Sequence, residues 1–348
     1  MATTSLTVSD ELLSTTAFAR LKEMRSMNDR PAPFVDDLLK LGTREESGGE
    51  RIIIPWKTNR HSKTTQLSTG YEPVNLHAEP LGTPGHDSWA YCIRPVLISS
   101  KDEILNRDSH KVISIMESRL KDVEDGMRLE FQDQILRGGE ANMSDFNTLN
   151  GTTGATTANT GILEIEDVGN QNNTVHNVSK NTHSSLPGFQ NQVYDADNDF
   201  STNGLTGLYD LTTRIRELAG DAVNLRGYLS IAGANNLKTQ LQSQEQYLVR
   251  GDNQLDGGRA VMSYNGIPLT VTSRMPDTTV NGGDNEWTCL FLDWNAIKFV
   301  GQRGYVFKLD EFKSVSGHSV RCAFMHLFGQ LTCEYWGSNG LLYDADTI

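Results

Sequence analysis

The chain has 348 residues, of which 37% are hydrophobic and 22% charged, with a formal net charge of −13. That length allows two or more packed units or one extended, multi-lobed subunit. The acidity argues against a protein that coats itself with nucleic acid, because such proteins carry basic patches to replace released counterions. The longest apolar runs, Ile52-Ile53-Ile54 and Leu290-Phe291-Leu292, fall far short of the ~20 residues a bilayer requires. The start, Met1-Ala2-Thr3-Thr4-Ser5, has neither the basic region nor the apolar block of a signal peptide, so synthesis in a cytoplasm is expected. Cys92, Cys289, Cys322 and Cys333 lie far apart without a C-x-x-C pair and are expected to be free, buried thiols.

The first 47 residues are weakly periodic. Ser9-Asp10-Glu11-Leu12-Leu13 offers a short helix, and Asp29-Arg30-Pro31-Ala32-Pro33-Phe34 is expected to break any helix, proline lacking the amide donor. This reads as an arm that lies on something else. Two strands follow, Ile52-Ile53-Ile54-Pro55-Trp56 and Trp89-Ala90-Tyr91-Cys92-Ile93-Arg94. About thirty polar residues separate them. An excursion of that length is uncommon inside a compact domain and implies a functional projection that needs a neighbouring surface.

Ser100-Lys101-Asp102-Glu103 has capping-box spacing, and Asp108-Ser109 offers a second cap. Val112, Met116, Leu120, Val123, Met127, Phe131 and Ile135 then recur at spacings of three and four, one stripe on one long helix. Gly138-Gly139 is the expected stop, and Ser109 to Arg137 predicts a rod of roughly 43 Å. Residues 140–204 are rich in Asn, Thr, Gly and Ser, with Lys180 as the sole Lys or Arg, and read as a long loop with a short strand at 162–165.

An α/β unit comes next. Leu205, Leu208, Leu211, Ile215 and Leu218 form a helical stripe, and a short helix is expected over 234–241. Strands are expected at 228–231, 266–273, 289–294, 298–300 and 305–309. From Val320 to Trp336 the pattern alternates for an unusual length, enough for more than ~50 Å of strand.

The sequence offers no G-x-S-x-G, Walker loop, G-x-G-x-x-G or H-E-x-x-H, and so no reason to expect an enzyme or a cofactor. His61, His77 and His86 match no compact metal spacing. Asp195, Asp197 and Asp199 alternate like a calcium loop, but Phe200 and Thr206 occupy the positions where an EF-hand needs glycine and an acid. Neither catalytic nor metal residues are assigned. The basic cluster Lys57, Arg60, His61 and Lys63, with Trp56 and Trp89 beside it, stands near the base of the projection. It is a candidate inter-subunit contact, against the alternative of a solvated charged loop.

The order of elements resembles that of the major capsid proteins of tailed double-stranded DNA phages, the Hong Kong 97-type fold. Local strings carry the likeness: Ser99-Ser100-Lys101-Asp102-Glu103-Ile104-Leu105-Asn106 at the entry to the long helix, and Ile135-Leu136-Arg137-Gly138-Gly139 with Leu149-Asn150-Gly151 at its exit. Tyr264-Asn265-Gly266-Ile267-Pro268-Leu269 is similar to a strand of the family's axial lobe. Phe328-Gly329-Gln330-Leu331-Thr332-Cys333 with Gly340-Leu341-Leu342 resembles the family's ending.

The resemblance implies an α+β fold with an N-terminal arm (1–47) and an extended β-loop (48–99). It also implies a peripheral domain (100–145 and 318–348) built on the long spine helix, and an axial domain (146–317) with a polar insertion at 146–204. It implies a structural role: pentamers and hexamers forming an icosahedral head around the genome, without sequence-specific DNA contacts and without a membrane. A separate scaffolding protein, a portal and optionally a decoration protein would be partners, and the virion capsid, assembled in the host cytoplasm, the location. No helical scaffold region of about a hundred residues, as some relatives carry, fits this sequence, and no lysine–asparagine crosslink is assigned. The alternatives are an encapsulin-type compartment shell and a β-rich carbohydrate-binding or adhesive protein.

Overall fold

The computed structural model describes residues 32–59, 64, 66–71, 73, 80–105, 115–151, 161–196, 200–221, 223–242, 262–278 and 284–346. Its first element reverses an expectation. Pro33 does not end a helix but opens one, α1 (Pro33–Leu41), because a first-turn position has no need of the missing amide. Phe34, Val35 and Leu38 are wholly buried, with the Phe34 ring 5.2 Å from Tyr228 and 5.6 Å from Trp294. Strands β1 (Thr43–Glu46), β2 (Ile52–Ile54), β3 (Gly85–Asp87) and β4 (Ala90–Ser99) lead into helices α2 (Ser100–Leu105) and α3 (Ile115–Leu136). Two-residue strands β5 (Asn150–Gly151), β6 (Leu163–Glu164), β7 (Thr174–Val175) and β8 (Val178–Ser179) follow, then β9 (Gln192–Asp195) and α4 (Phe200–Ala219). Next come β10 (Leu225–Leu229), α5 (Ile231–Gln242), β11 (Met262–Tyr264), β12 (Ile267–Val271) and β13 (Asp277–Thr278). The chain closes with β14 (Asp284–Asp293), β15 (Ile297–Leu309), β16 (Lys313–Ser314), β17 (Val320–Cys333) and β18 (Gly340–Asp346).

Contacts divide the chain into two units. The smaller contains 93–127 and 309–325, together with 1–30, which lie outside the described residues. Here β16 and β17 form an antiparallel hairpin, Lys313 opposite Cys322. Along β4, Val96 and Ile98 are buried while Ile93 and Leu97 are exposed, the alternation a strand imposes. The Leu97 carbonyl accepts a hydrogen bond from Arg119 Nη1 at 2.9 Å.

The larger unit contains 31–92, 128–308 and 326–348. Its seven-stranded sheet runs β11-β12-β10-β14-β18-β9, with β13 added to β14. The β10–β12 and β18–β9 pairs are parallel; β10–β14 and β14–β18 are antiparallel. Helix α4 buries Leu208, Leu211 and Ile215 in a core that also holds Leu269, Phe291 and Leu342. A second sheet pairs β1 parallel to β15, Thr43 opposite Phe299, and β15 with β17. The two strands expected at 298–300 and 305–309 are one continuous strand, β15.

Helix α3 carries the expected stripe in part. Val112 lies outside the described residues, as does the side chain of Met116; Leu120 and Val123 are half-buried; Met127, Phe131 and Ile135 are fully buried. The simple picture of one apolar stripe on a polar rod fails over the last turns. There Gln132, Asp133 and Gln134 are buried as well, because Arg274 pairs with Asp133 and Gln134 donates to the Phe146 carbonyl at 3.0 Å. Gly138 ends the helix in the left-handed conformation (φ +74°), its amide reaching Gln134 O at 3.0 Å, the glycine stop expected from sequence.

Candidate interface at the root of the projecting loop

The projection between β2 and β3 begins as a short antiparallel ladder, Ile52 opposite Asp87 and Ile54 opposite Gly85. Ile52 and Ile54 point inward while Ile53 is 68% exposed. The two arms stay together further out, where the Asn59 amide donates to Leu81 O and Asn59 Nδ2 to Pro80 O, each at 3.0 Å. Hence the strand partner of 52–54 is 85–87. The Trp89–Arg94 segment, read in sequence as the second strand, belongs to β4, which pairs with β17.

Trp56 packs inside its own chain. Its ring lies 5.1 Å from both Phe189 and Trp336 and 5.8 Å from His176. A Cβ at position 85 would come within 2.4 Å of that ring, so glycine is required where β3 crosses it. Beside it, Asp87 binds His176 Nδ1 and accepts from Asn147 Nδ2 at 3.2 Å. His176 Nε2 accepts the Cys333 amide at 3.0 Å, which fixes the tautomer with the proton on Nδ1. His176 and Asn177 both have positive φ (54° and 59°) in the two-residue turn of the β7–β8 hairpin, the geometry such turns favour. The hairpin also takes the His86 amide on His176 O at 3.0 Å. One hairpin therefore ties the loop's return strand to the end of β17.

Behind this clamp sits a buried charge network in the segment read from sequence as a loose polar loop. Lys180 Nζ lies 3.3 Å from Glu164 Oε1, both side chains essentially without solvent exposure. It also donates to Asn191 Oδ1 at 3.1 Å and Gln171 Oε1 at 3.4 Å, which gives each ammonium proton an acceptor. The Glu164 carboxylate accepts the amides of Asn172 and Asn173 at 2.8 and 2.9 Å. Asn191 brackets the Glu164 backbone, accepting its amide and donating to its carbonyl. Burial lowers the Lys180 pKa to about 8, with Glu164 pulling it back up. These polar side chains serve as internal hydrogen-bonding groups; composition alone does not separate that use from solvation.

Of the residues expected at an inter-subunit contact, Lys57 is exposed beside Trp56, and Trp89 is half-buried with Nε1 donating to Gly49 O at 2.9 Å. Arg60, His61 and Lys63 lie outside the described residues, as do His77, Asp197 and Asp199. A groove of about 530 Å³ flanks the root, lined by Arg44, Glu46, Ile53, Trp89, Val300 and Glu334 among others. None of the four cysteines forms a disulfide; Cys289, Cys322 and Cys333 are buried as expected, whereas Cys92 is half-buried, and burial raises the thiol pKa of Cys289 and Cys333. Among the described residues no group of three His, Cys, Asp or Glu is placed to hold a metal ion, and no helix is long and apolar enough to cross a membrane. Sequence reasoning passed over Asp87, His176, Glu164 and Asn191. The one available signal was Lys180, a lone cation in a long polar stretch.

No family model matches the chain, and no curated protein matches its sequence. Solved structures do match along nearly its whole length. The capsid of an empty GTA particle is 12% identical with a TM-score of 0.64, covering 99% of this chain and 100% of that one. The Cyanophage A-1(L) capsid is 14% identical with a TM-score of 0.60, covering 95% and 97%. The SrpI encapsulin of Synechococcus elongatus PCC 7942 is 9% identical with a TM-score of 0.51, covering 97% and 94%. The likeness establishes the fold: mixed α+β, capsid-like, and shared by phage capsid and encapsulin shells.

Proposed function

We propose that this chain is a structural shell subunit and, more narrowly, the major capsid protein of a tailed double-stranded DNA phage with the Hong Kong 97-type fold. The observation that carries the reading is the end-to-end match to shell proteins, with at least 94% of each matched chain covered in the three comparisons above. A loop with a hydrogen-bonded root, whose described residues Leu67, Tyr71 and Leu81 are exposed, supports it. On this reading the chain is not an enzyme, and its work is geometric: pentamers and hexamers close an icosahedral head by repeating one set of contacts. DNA is confined inside and not read, which suits a net charge of −13. A separate scaffolding protein, a portal and optionally a decoration protein complete the particle, built in the host cytoplasm and retained in the virion.

The SrpI match favours one second reading, an encapsulin-type compartment around a protein cargo. The full-length likeness to shells of both kinds favours either over an adhesive, carbohydrate-binding protein. Negative-stain images of the purified full chain, alone and with a co-expressed scaffolding protein, test the shell reading. Closed shells, rings or capsid-like sheets are expected; a chain that stays strictly monomeric in both settings sinks it. Shells that load a co-expressed enzyme without any phage component would move the assignment to the encapsulin.

A further inference from the structure

The buried network behind the clamp brings together an amine, a carboxamide and a carboxylate, the groups that amide transfer requires. Lys180 Nζ lies 3.1 Å from Asn191 Oδ1 and 3.3 Å from Glu164 Oε1. Asn191 is held through its backbone and its side chain alike. Gln171 binds the Asn191 N–H and C=O at 3.0 and 2.8 Å, while Asn191 Nδ2 donates to the Glu164 carbonyl at 2.8 Å. The Glu164 backbone N–H donates to Asn191 Oδ1 at 3.0 Å, which polarises that carbonyl and is placed to support negative charge growing on the oxygen. Lys180, Glu164, Gln171 and Asn191 are essentially without solvent exposure, and the Trp336 ring stands 5.8 Å from Nζ. Bulk water that would compete for the amide is excluded by that burial. Burial, partly offset by Glu164, lowers the Lys180 pKa to about 8, so a share of the amine is neutral and nucleophilic near neutral pH.

We propose that Lys180 and Asn191 join in an isopeptide bond that the folded subunit forms by itself, with Glu164 as the proton-transfer group. Glu164 takes a proton from the Lys180 ammonium, and the freed Nζ attacks Asn191 Cγ. Nζ already contacts Oδ1, and Cγ is the other end of the same C=O bond, about 1.2 Å away. The Nζ–Cγ bond forms, the Cγ–Nδ2 bond breaks, and Nδ2 leaves as ammonia. Of the two protons Nζ gives up, one stays on Glu164 and one departs with the ammonia. Glu164 ends as a neutral acid, so a buried pair of charges disappears and no oxidant is consumed. Before the reaction the same side chains form the ion pair and hydrogen bonds of the unlinked subunit. The bond closes a covalent ring over 180–191, joining the 3-10 turn after β8 to the residue that precedes β9. It lies within one chain and uses none of the loop lysines, so it requires no neighbouring copy and does not rest on the shell-subunit reading.

The test is the intact mass of the dilute, unassembled full chain, fresh and after several days at mildly alkaline pH. The expected change is a loss of about 17 Da, one ammonia, with trypsin no longer cutting after Lys180. Chymotryptic cleavage at Leu186 or Phe189 should then leave two peptides joined through Lys180 and Asn191. A folded chain that keeps its full mass overturns the inference. An ammonia loss that maps to a succinimide at Asn150-Gly151 or Asn265-Gly266, or a link from Lys180 to Gln171, overturns it equally. Glu164→Gln should slow the linkage about a hundredfold or more, the share expected of a proton-transfer group. A variant that links as fast as wild type contradicts the role given to Glu164, and if the variant does not fold, the wild-type mass decides alone.

Discussion

The two cores of the larger unit are built by opposite means. Around α4, β12, β14 and β18 the core is apolar, with Leu208, Leu211, Ile215, Leu269, Phe291 and Leu342 in mutual contact. Behind the loop root the core is ionic, with Lys180 and Glu164 enclosed by Asn191, Gln171 and backbone amides. The apolar core draws on nondirectional burial, so a truncated side chain costs its transfer energy plus whatever cavity the neighbours fail to close. The ionic core depends on every partner being present, because a buried charge that loses its counterpart has no water to replace it. The first packs a lobe; the second holds together the turns from which the β7–β8 hairpin reaches the loop root.

The comparison is broken most sharply by removing one charge. Lys180→Met should lower the unfolding free energy of the unassembled subunit by about 3–5 kcal/mol, as expected when a buried ion is left unpaired. Combining it with Glu164→Leu should recover part of that loss; a double variant at least as unstable as the sum of the singles would contradict the ionic account. The gap also depends on pH. Lys180 has a folded pKa of about 8, below the ~10.4 of a free lysine. The folded state therefore gives up this proton first, and wild-type stability rises relative to the Lys180→Met variant as pH climbs from about 8 to about 10.4. Denaturant midpoints across that window should show the gap widening, and a gap that narrows would reverse the sign argued here.

In the apolar core, Leu211→Ala should cost about 2–4 kcal/mol with cooperative unfolding retained. At the clamp, His176→Phe leaves the Cys333 amide and Asp87 without their partner, for about 1–3 kcal/mol, and should speed hydrogen exchange at Cys333 and His86 before it affects α4. At the surface, Arg44→Ala removes an exposed pair with Glu46 and should change stability by less than about 1 kcal/mol.

The same contrast explains what the sequence made legible. The apolar lobe announces itself, because Leu205, Leu208, Leu211, Ile215 and Leu218 keep helical spacing and the strands around them are β-branched or aromatic. The mixed α+β class and the glycine stop after α3 were readable for that reason, as was a long strand from Val320, although β17 stops at Cys333 and Trp336 opens a 3-10 turn where the alternation predicted continued strand. The ionic core carries no period: Glu164, Gln171, Lys180 and Asn191 meet only through turns, and each alone looks like a solvated loop residue. Pro33 misled in another way, since a proline that ends one helix equally well begins the next. Trp56 was legible as a special residue of the loop, but its packing on Phe189 and Trp336 depends on partners more than a hundred residues away.

On the proposed shell-subunit reading, the loop rooted in the β2–β3 ladder is an assembly element and not part of the subunit's own core. Sedimentation velocity of the full chain beside a variant in which residues 61–79 are replaced by a short Gly-Ser turn, leaving the Asn59–Leu81 contact in place, tests it most directly. The account predicts that wild-type chains sediment as rings or shells, while the trimmed chain keeps its melting midpoint and sediments as a monomer. A trimmed chain that assembles like wild type would contradict it.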